Sequence, residues 1–112
     1  MLTASKKAKG RSLQKLVRDK IQKTLKLEKD DVRSTSMGAS GVDILLSPLA
    51  QSKFPWAVEC KSVAKIASYS YYEQAVDNST DKLKPLVVMK ANGKQPMVML
   101  SLDHFMELYE NQ

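Results

Sequence analysis

Three side chains, Asp43, Glu59 and Lys61, have the types and spacing to do chemistry together. Asp43 lies in Val42-Asp43-Ile44-Leu45-Leu46 and Glu59 in Trp56-Ala57-Val58-Glu59-Cys60-Lys61, both apolar runs that read as buried strands. A carboxylate in such a run is costly unless it is paired or bound to a metal. Strand side chains alternate, so Glu59 and Lys61 share one face while Val58 and Cys60 share the other. If the two strands pair, two carboxylates and an ammonium converge. With the main-chain carbonyl of Cys60, Asp43 and Glu59 form a hard oxygen set suited to Mg²⁺, with Mn²⁺ as its substitute. Such an ion can orient a water and neutralise charge growing on a phosphate, with Lys61 beside that water. A structural ion pair between Lys61 and either carboxylate is the competing reading of the same spacing.

The elements that must position these residues follow from periodicity. Leu13, Leu16, Val17, Ile21 and Leu25 recur at three- and four-residue intervals from Arg11 onward, which predicts an amphipathic helix ending near residues 24–27. Gln14 falls inside its apolar stripe, so its amide faces inward and needs a partner. Val32-Arg33-Ser34-Thr35-Ser36 predicts a first strand, followed by a Gly-rich loop over 37–41. The strands containing Asp43 and Glu59 come next, the three forming a meander. Ser70 and Glu73 have capping-box spacing, which predicts a helix from Tyr71 to about Asn78. Two strands at 86–90 and 97–100 flank Asn92-Gly93, a hairpin signal, and a helix at 103–109 closes the chain. The expected fold is α/β, one central mixed five-stranded sheet flanked by helices.

Charge and composition narrow the partners. The chain has 112 residues and a formal charge of +6, which fits a single domain over residues 10–112 preceded by a flexible basic arm at 1–9. Residues 1–26 carry nine Lys or Arg against Asp19 alone, while the remainder has nine basic and eleven acidic groups. A polyanion is the partner such a segment favours, because each neutralised phosphate releases counterions. Lys6, Lys7, Lys9, Arg11 and Arg18 are its DNA-contacting candidates. One cysteine and one histidine make neither a disulfide nor a zinc site, and no His-based triad can form. With no signal peptide and no apolar run near 20 residues, no membrane partner is expected and the location is expected to be cytoplasmic.

Val42-Asp43, fifteen intervening residues, then Glu59-Cys60-Lys61 resembles the PD-(D/E)xK nuclease motif. Together with Lys9-Gly10 at the first helix and Val32-Arg33-Ser34 in the first strand, it is similar to the archaeal-type Holliday junction resolvases and their phage relatives over roughly residues 9 to 100. The resemblance implies a restriction-endonuclease-like fold and a metal-dependent endonuclease acting as a homodimer on four-way DNA junctions. A phage-encoded chain acting in the host cell is compatible with the resemblance. Asp43 and Glu59 match the metal-binding carboxylates, and Lys61 the lysine serving the attacking water. Gln14 stands where these resolvases usually have a glutamate, a departure that removes one charge. Valine precedes Asp43 where the motif has proline. Gln74 resembles a glutamine that supports water or phosphate in several branches. Ser34, Ser36 and Ser40 lie in the loop region where a related serine contacts the scissile backbone, and Arg33 beside them is a further DNA-binding candidate. The alternatives are another nuclease of this superfamily acting on flaps, nicks or ends, and a non-catalytic DNA-binding module of the same fold.

Overall fold

The computed structural model describes residues 4–35 and 41–110. Helix α1 spans Ala4–Leu25 and buries Leu13, Gln14, Val17 and Ile21 on one face. It begins before the apolar periodicity does, so residues 4–9, expected as a flexible arm, form its first turns. Two alanines and three lysines there are good helix formers that need no buried stripe. The helix stops at Lys26, whose φ of 55° is left-handed. The N–H groups of Leu27 and Lys26 turn back to the carbonyls of Gln22 and Lys23, at 2.9 and 3.4 Å. This is a Schellman ending that drives Leu27 into the core.

Strands β1 (Val32–Ser34) and β2 (Ile44–Leu46) pair antiparallel, with Arg33 opposite Leu45. Helix α2 (Pro48–Lys53) follows, so β2 does not run into the next strand through a tight turn. Ser47 caps α2 by accepting the Ala50 N–H at 3.1 Å and donating to Asp31 at 2.6 Å, and Pro48 occupies the first turn. β3 (Trp56–Val63) and β4 (Lys84–Ala91) run parallel, and β5 (Met97–Met99) returns antiparallel to β4. The crossover between β3 and β4 carries α3 (Ser68–Asp77). Its expected capping box does not form: the helix starts two residues before Ser70, and the Ser70 hydroxyl donates to the Ala67 carbonyl instead. Helix α4 spans Leu102–Glu110.

The hydrogen-bonded strands make one sheet of two and one of three, not a single five-stranded sheet. The join fails between β2 and β3, where the Asp43 N–H donates to the Val58 carbonyl at 3.1 Å and the backbone ladder goes no further. Two apolar clusters sandwich the three-stranded sheet. Leu13, Val17 and Ile21 of α1 pack with Val58, Cys60, Leu86 and Val88, and Ala75 of α3 packs with Val87 and Met89 on the other face. No helix among the described residues is long and apolar enough to cross a membrane.

Candidate metal and phosphate site

Glu59 sits opposite Val87 in the parallel register and alternates with Val58 and Cys60, so it belongs to the α3 face of the sheet. Asp43 lies in the gap between the sheets. Its carboxylate Oδ2 accepts the Cys60 N–H at 2.8 Å, taking the role that a backbone carbonyl of β2 would play in a continuous ladder. The N–H and C=O of one strand residue point to the same side, so the Cys60 carbonyl also opens on this gap. The Asp43 carboxylate and the Cys60 carbonyl, two of the three expected ligands, border this gap, and Glu59 on the α3 face lies near enough to Asp43 for their carboxyls to interact.

The electrostatics are strained in the way a cation relieves. Glu59 is 5% exposed, and its Oε2 is buried with no hydrogen-bond partner among the described residues. Burial and the neighbouring Asp43 charge push its carboxyl up to about 7, against the smaller pull of Lys61 and of the Asn78 side chain. Asp43 is raised too, by burial, although the Cys60 N–H and Lys61 favour its ionised form. Lys61 Nζ stands 3.8 Å from Glu59 Oε1, longer than a direct hydrogen bond, and 5.6 Å from the centre of the Tyr71 ring. The ammonium is therefore shared between a carboxylate and an aromatic face. Burial, helped by the two carboxylates, raises the Cys60 thiol, which keeps it protonated and inert.

Among the described residues no three His, Cys, Asp or Glu side chains converge as a metal cage. Two carboxylates and a carbonyl remain, which suits an ion that keeps several waters, as Mg²⁺ does. The Glu59 oxygen that is buried without a partner among the described residues belongs, with the Asp43 carboxyl to which Glu59 also shares a hydrogen bond, to a donor pair that could hold either a proton or a cation. On these observations the residues fit a divalent cation.

The helix that would complete the site lies alongside. Gly10 and Lys6 and Lys9 of α1 share a cleft of about 410 Å³ with Cys60, Lys61 and Ser62. Lys9 Nζ donates to Asn92 Oδ1 at 3.1 Å across it. Gln14, 3% exposed, is one turn further along the stripe that begins at Gly10. One turn beyond that, Arg18 enters a second cleft of about 410 Å³ with Arg33, Ser34 and Lys29. Gln14 is therefore placed between two basic clefts, on the helix that packs against β3. Arg18 also bonds Asp19 at 2.9 Å. Lys7 and Arg11 are exposed and line neither cleft. Ser36 and Ser40 lie outside the described residues.

Among the described residues no contact brings Gln74 to the site: its side chain is exposed on α3, and its main-chain carbonyl accepts from Asn78 at 3.3 Å. The residues that do reach the charged group from this side are Tyr71 of α3, at Lys61, and Asn78, the cap that follows α3, at Glu59. Sequence reasoning missed both roles. Three clustered tyrosines read equally as core, and an asparagine ending a helix reads as a cap. The chain matches no family model, and no curated protein and no solved structure matches it significantly.

Proposed function

We propose that this protein is a metal-dependent, structure-specific DNA endonuclease that hydrolyses phosphodiesters in four-way junctions, in the manner of the Holliday junction resolvases its motif resembles. The observation that carries the reading is the pairing of Asp43, anchored on the Cys60 N–H, with a buried Glu59 whose second oxygen is unsatisfied, beside Lys61. In that reading Asp43 and Glu59 hold Mg²⁺ or Mn²⁺, and the Cys60 carbonyl completes the protein's oxygen set. When bound, the ion supplies positive charge to the phosphate and acidifies a water. Lys61 orients that water and offsets the negative charge that grows as it attacks phosphorus. Gln14 accepts from or donates to water at the edge of the site without adding charge. Lys6 and Lys9, beside Lys61, and Arg18 and Arg33, in the next cleft, hold the flanking phosphates. A homodimer supplies the second site that a second strand requires, because one domain of this size spans one.

The test is cleavage of an end-labelled synthetic four-way junction beside a linear duplex of the same sequence, with Mg²⁺ or with chelator. Paired nicks in the junction alone, lost with chelator and in Glu59→Gln, are expected. Equal cutting of flapped or nicked DNA would move the substrate within the same superfamily. Tight binding without cleavage under any metal would leave a DNA-binding module and retire the catalytic reading.

A further inference from the structure

The α1 face of the sheet changes character along its length. Under the second half of α1 it is apolar, with Val58, Leu86 and Val88 in the core. At the carboxyl ends of the parallel strands β3 and β4 it carries Ser62 and Lys90 instead, register partners that alternate onto the same face as Cys60 and Val88. These strand ends and the first half of α1 border an open cleft of about 530 Å³, lined by Lys9, Ser12, Leu16 and Lys90 and by the hairpin turn at Asn92. In open α/β sheets the crevice outside the carboxyl ends of parallel strands is where ligands sit. Neither Lys9 nor Lys90 has an acidic partner among the described residues: Lys9 donates to the neutral Asn92, and Lys90 takes part in no ion pair. Two ammonium groups thus border one cleft without compensation. That cleft is one stretch of a longer groove. It shares Lys9, Ser62 and Asn92 with the cleft that reaches Cys60, and Leu16 with an apolar recess of about 420 Å³ that Lys20, Pro96 and Val98 also line. The three follow α1 from Ser5 to Ile21, about 24 Å of helix.

We propose that this groove binds an unpaired nucleic-acid strand, which passes Lys9 beside the cleft of Cys60 and runs along α1 toward β5. The mixed chemistry of the groove selects the occupant. A duplex turns its sugar-phosphate backbone outward and keeps its base faces stacked inside, so it satisfies Lys9 and Lys90 and leaves the apolar wall of Leu16, Pro96 and Val98 unused. An unpaired strand offers phosphates to the lysines and base faces to that wall at once. Its phosphate oxygens also accept from hydroxyls such as those of Ser12 and Ser62. A groove of this length takes up to about seven nucleotides at the stacked spacing of 3.4 Å. The inference deepens the endonuclease reading and rests on it: at a branch point the strand that opens beside the cut is the one the groove would hold.

The test is run in chelator, so that neither metal nor cleavage takes part. Fluorescence anisotropy of a labelled oligothymidylate of about twelve nucleotides should show the wild type binding it at least about tenfold tighter than a duplex of equal length at the same salt. Lys90→Gln should flatten the slope of log K against log salt by about 0.7, the single-strand value for one phosphate. Lys15→Gln removes the same charge from an exposed α1 residue that lines none of the three clefts, and should leave the slope unchanged. Leu16→Asn should weaken binding at least about fivefold, the low end of a base contact, without altering the slope. Leu16 is 39% exposed, and circular dichroism verifies that each variant folds. Duplex bound as tightly as the single strand overturns the proposal, as do equal slopes for the two lysine variants, unweakened binding in Leu16→Asn, or an acidic peptide of equal charge that displaces the strand at equal concentration. A strand bound as expected by a protein that cuts no DNA with metal would leave the groove standing and end the nuclease reading. Junction cleavage with the oligothymidylate unbound would do the reverse.

Discussion

The Asp43 carboxylate accepts the backbone N–H of Cys60 at 2.8 Å at the point where β2 leaves β3. One residue thereby ends a backbone ladder and anchors an acid against the strand that carries Glu59 and Lys61. The hydrogen bond satisfies an N–H that the split would otherwise orphan, which ties the break in the sheet to the position of the acid.

Removing either acid should separate chemistry from binding. Asp43→Asn keeps an oxygen for the Cys60 N–H, and Glu59→Gln keeps the shape of a buried side chain, so both should fold. On the proposed function, each should lower metal-dependent junction cleavage by about 10²–10³-fold, because each carboxylate would be one of two charged ligands and single electrostatic contacts at such sites are worth about that much. Binding should persist or tighten, since a negative charge near phosphate is gone. Gel-shift and cleavage assays on the same preparations check both; joint loss would point to a structural role.

The stability of the metal-free protein should fall as pH rises through neutrality. Glu59 titrates near 4.5 in the unfolded chain and near 7 in the folded one. Below 4.5 it is protonated in both states and carries no penalty. Between these values the unfolded chain releases the proton that the folded state retains, and above 7 the fold must carry a buried carboxylate. The loss across this window should be about 2–3 kcal/mol. Asp43, also raised, adds in the same direction. Glu107 is shifted downward by its hydrogen bond to Lys84, so its contribution is present above its unfolded value and is lost on acidification below it. Urea unfolding from pH 5 to 8 should show the decline in wild type and a flatter profile in Glu59→Gln. Mg²⁺ should restore wild-type stability at pH 8 and leave the variant nearly unmoved.

Much of this site is legible in the sequence because a charge inside an apolar strand announces itself. Asp43, Glu59 and Lys61 stand out by contrast with their neighbours, and period-2 alternation assigns Glu59 and Lys61 to one face without a structure. What remains hidden depends on contacts between distant segments. The split between the sheets coincides with the bond of Asp43 to Cys60, 17 residues away, which no local pattern encodes. Helix α2 was missed although Ser47-Pro48 is a start signal, since six residues give too little periodicity to register. Tyr71 carries no mark that separates it from Tyr69, which is 85% exposed. The early start of α1 escaped because lysine-rich turns lack an apolar stripe.

Tyr71 should act as a positioning residue for Lys61. Its ring lies 5.6 Å from Lys61 Nζ, which stands 3.8 Å from Glu59 Oε1. Without the ring, Lys61 should collapse onto Glu59. Tyr71→Ala should therefore reduce kcat by about tenfold, the scale of a cation–π contact of ~1–2 kcal/mol, with little change in KM. Tyr71→Phe retains the face and should stay within about twofold. Equal losses in both variants would mean the hydroxyl, which donates to the Lys65 carbonyl at 3.3 Å, is what matters.

Lys26 should be replaceable at a gain. It is the one non-glycine residue with positive φ among those described, and its N–H and that of Leu27 close α1. Glycine adopts this conformation without the Cβ clash that costs an L-residue about 1 kcal/mol. Lys26→Gly should raise the unfolding free energy by roughly 0.5–1 kcal/mol, less the greater entropy of the unfolded glycine chain. Chemical denaturation with an unchanged m-value checks it; a loss of stability would mean that Lys26 contributes through its side chain.

The salt dependence of junction binding should report how many basic residues of α1 meet phosphate, and which. Lys6 and Lys9 share a cleft with Lys61, whereas Lys7 and Arg11 are exposed and line neither basic cleft. Each phosphate neutralised on duplex DNA contributes about −0.9 to the slope of log K against log salt. Lys6→Ala/Lys9→Ala should therefore flatten the slope by about 1.8, weakening binding most at low salt. Lys7→Ala/Arg11→Ala should flatten it less if the clefts are the DNA path. Lys9 also bonds Asn92, so Asn92→Ala separates the two contributions: losing a bond that holds Lys9 in place should weaken binding modestly without altering the slope. Equal flattening by the two double variants would instead put the whole exposed face of α1 on DNA. In that case the polyelectrolyte term would come from the helix as a solvated charged rod and not from the clefts beside Asp43 and Glu59.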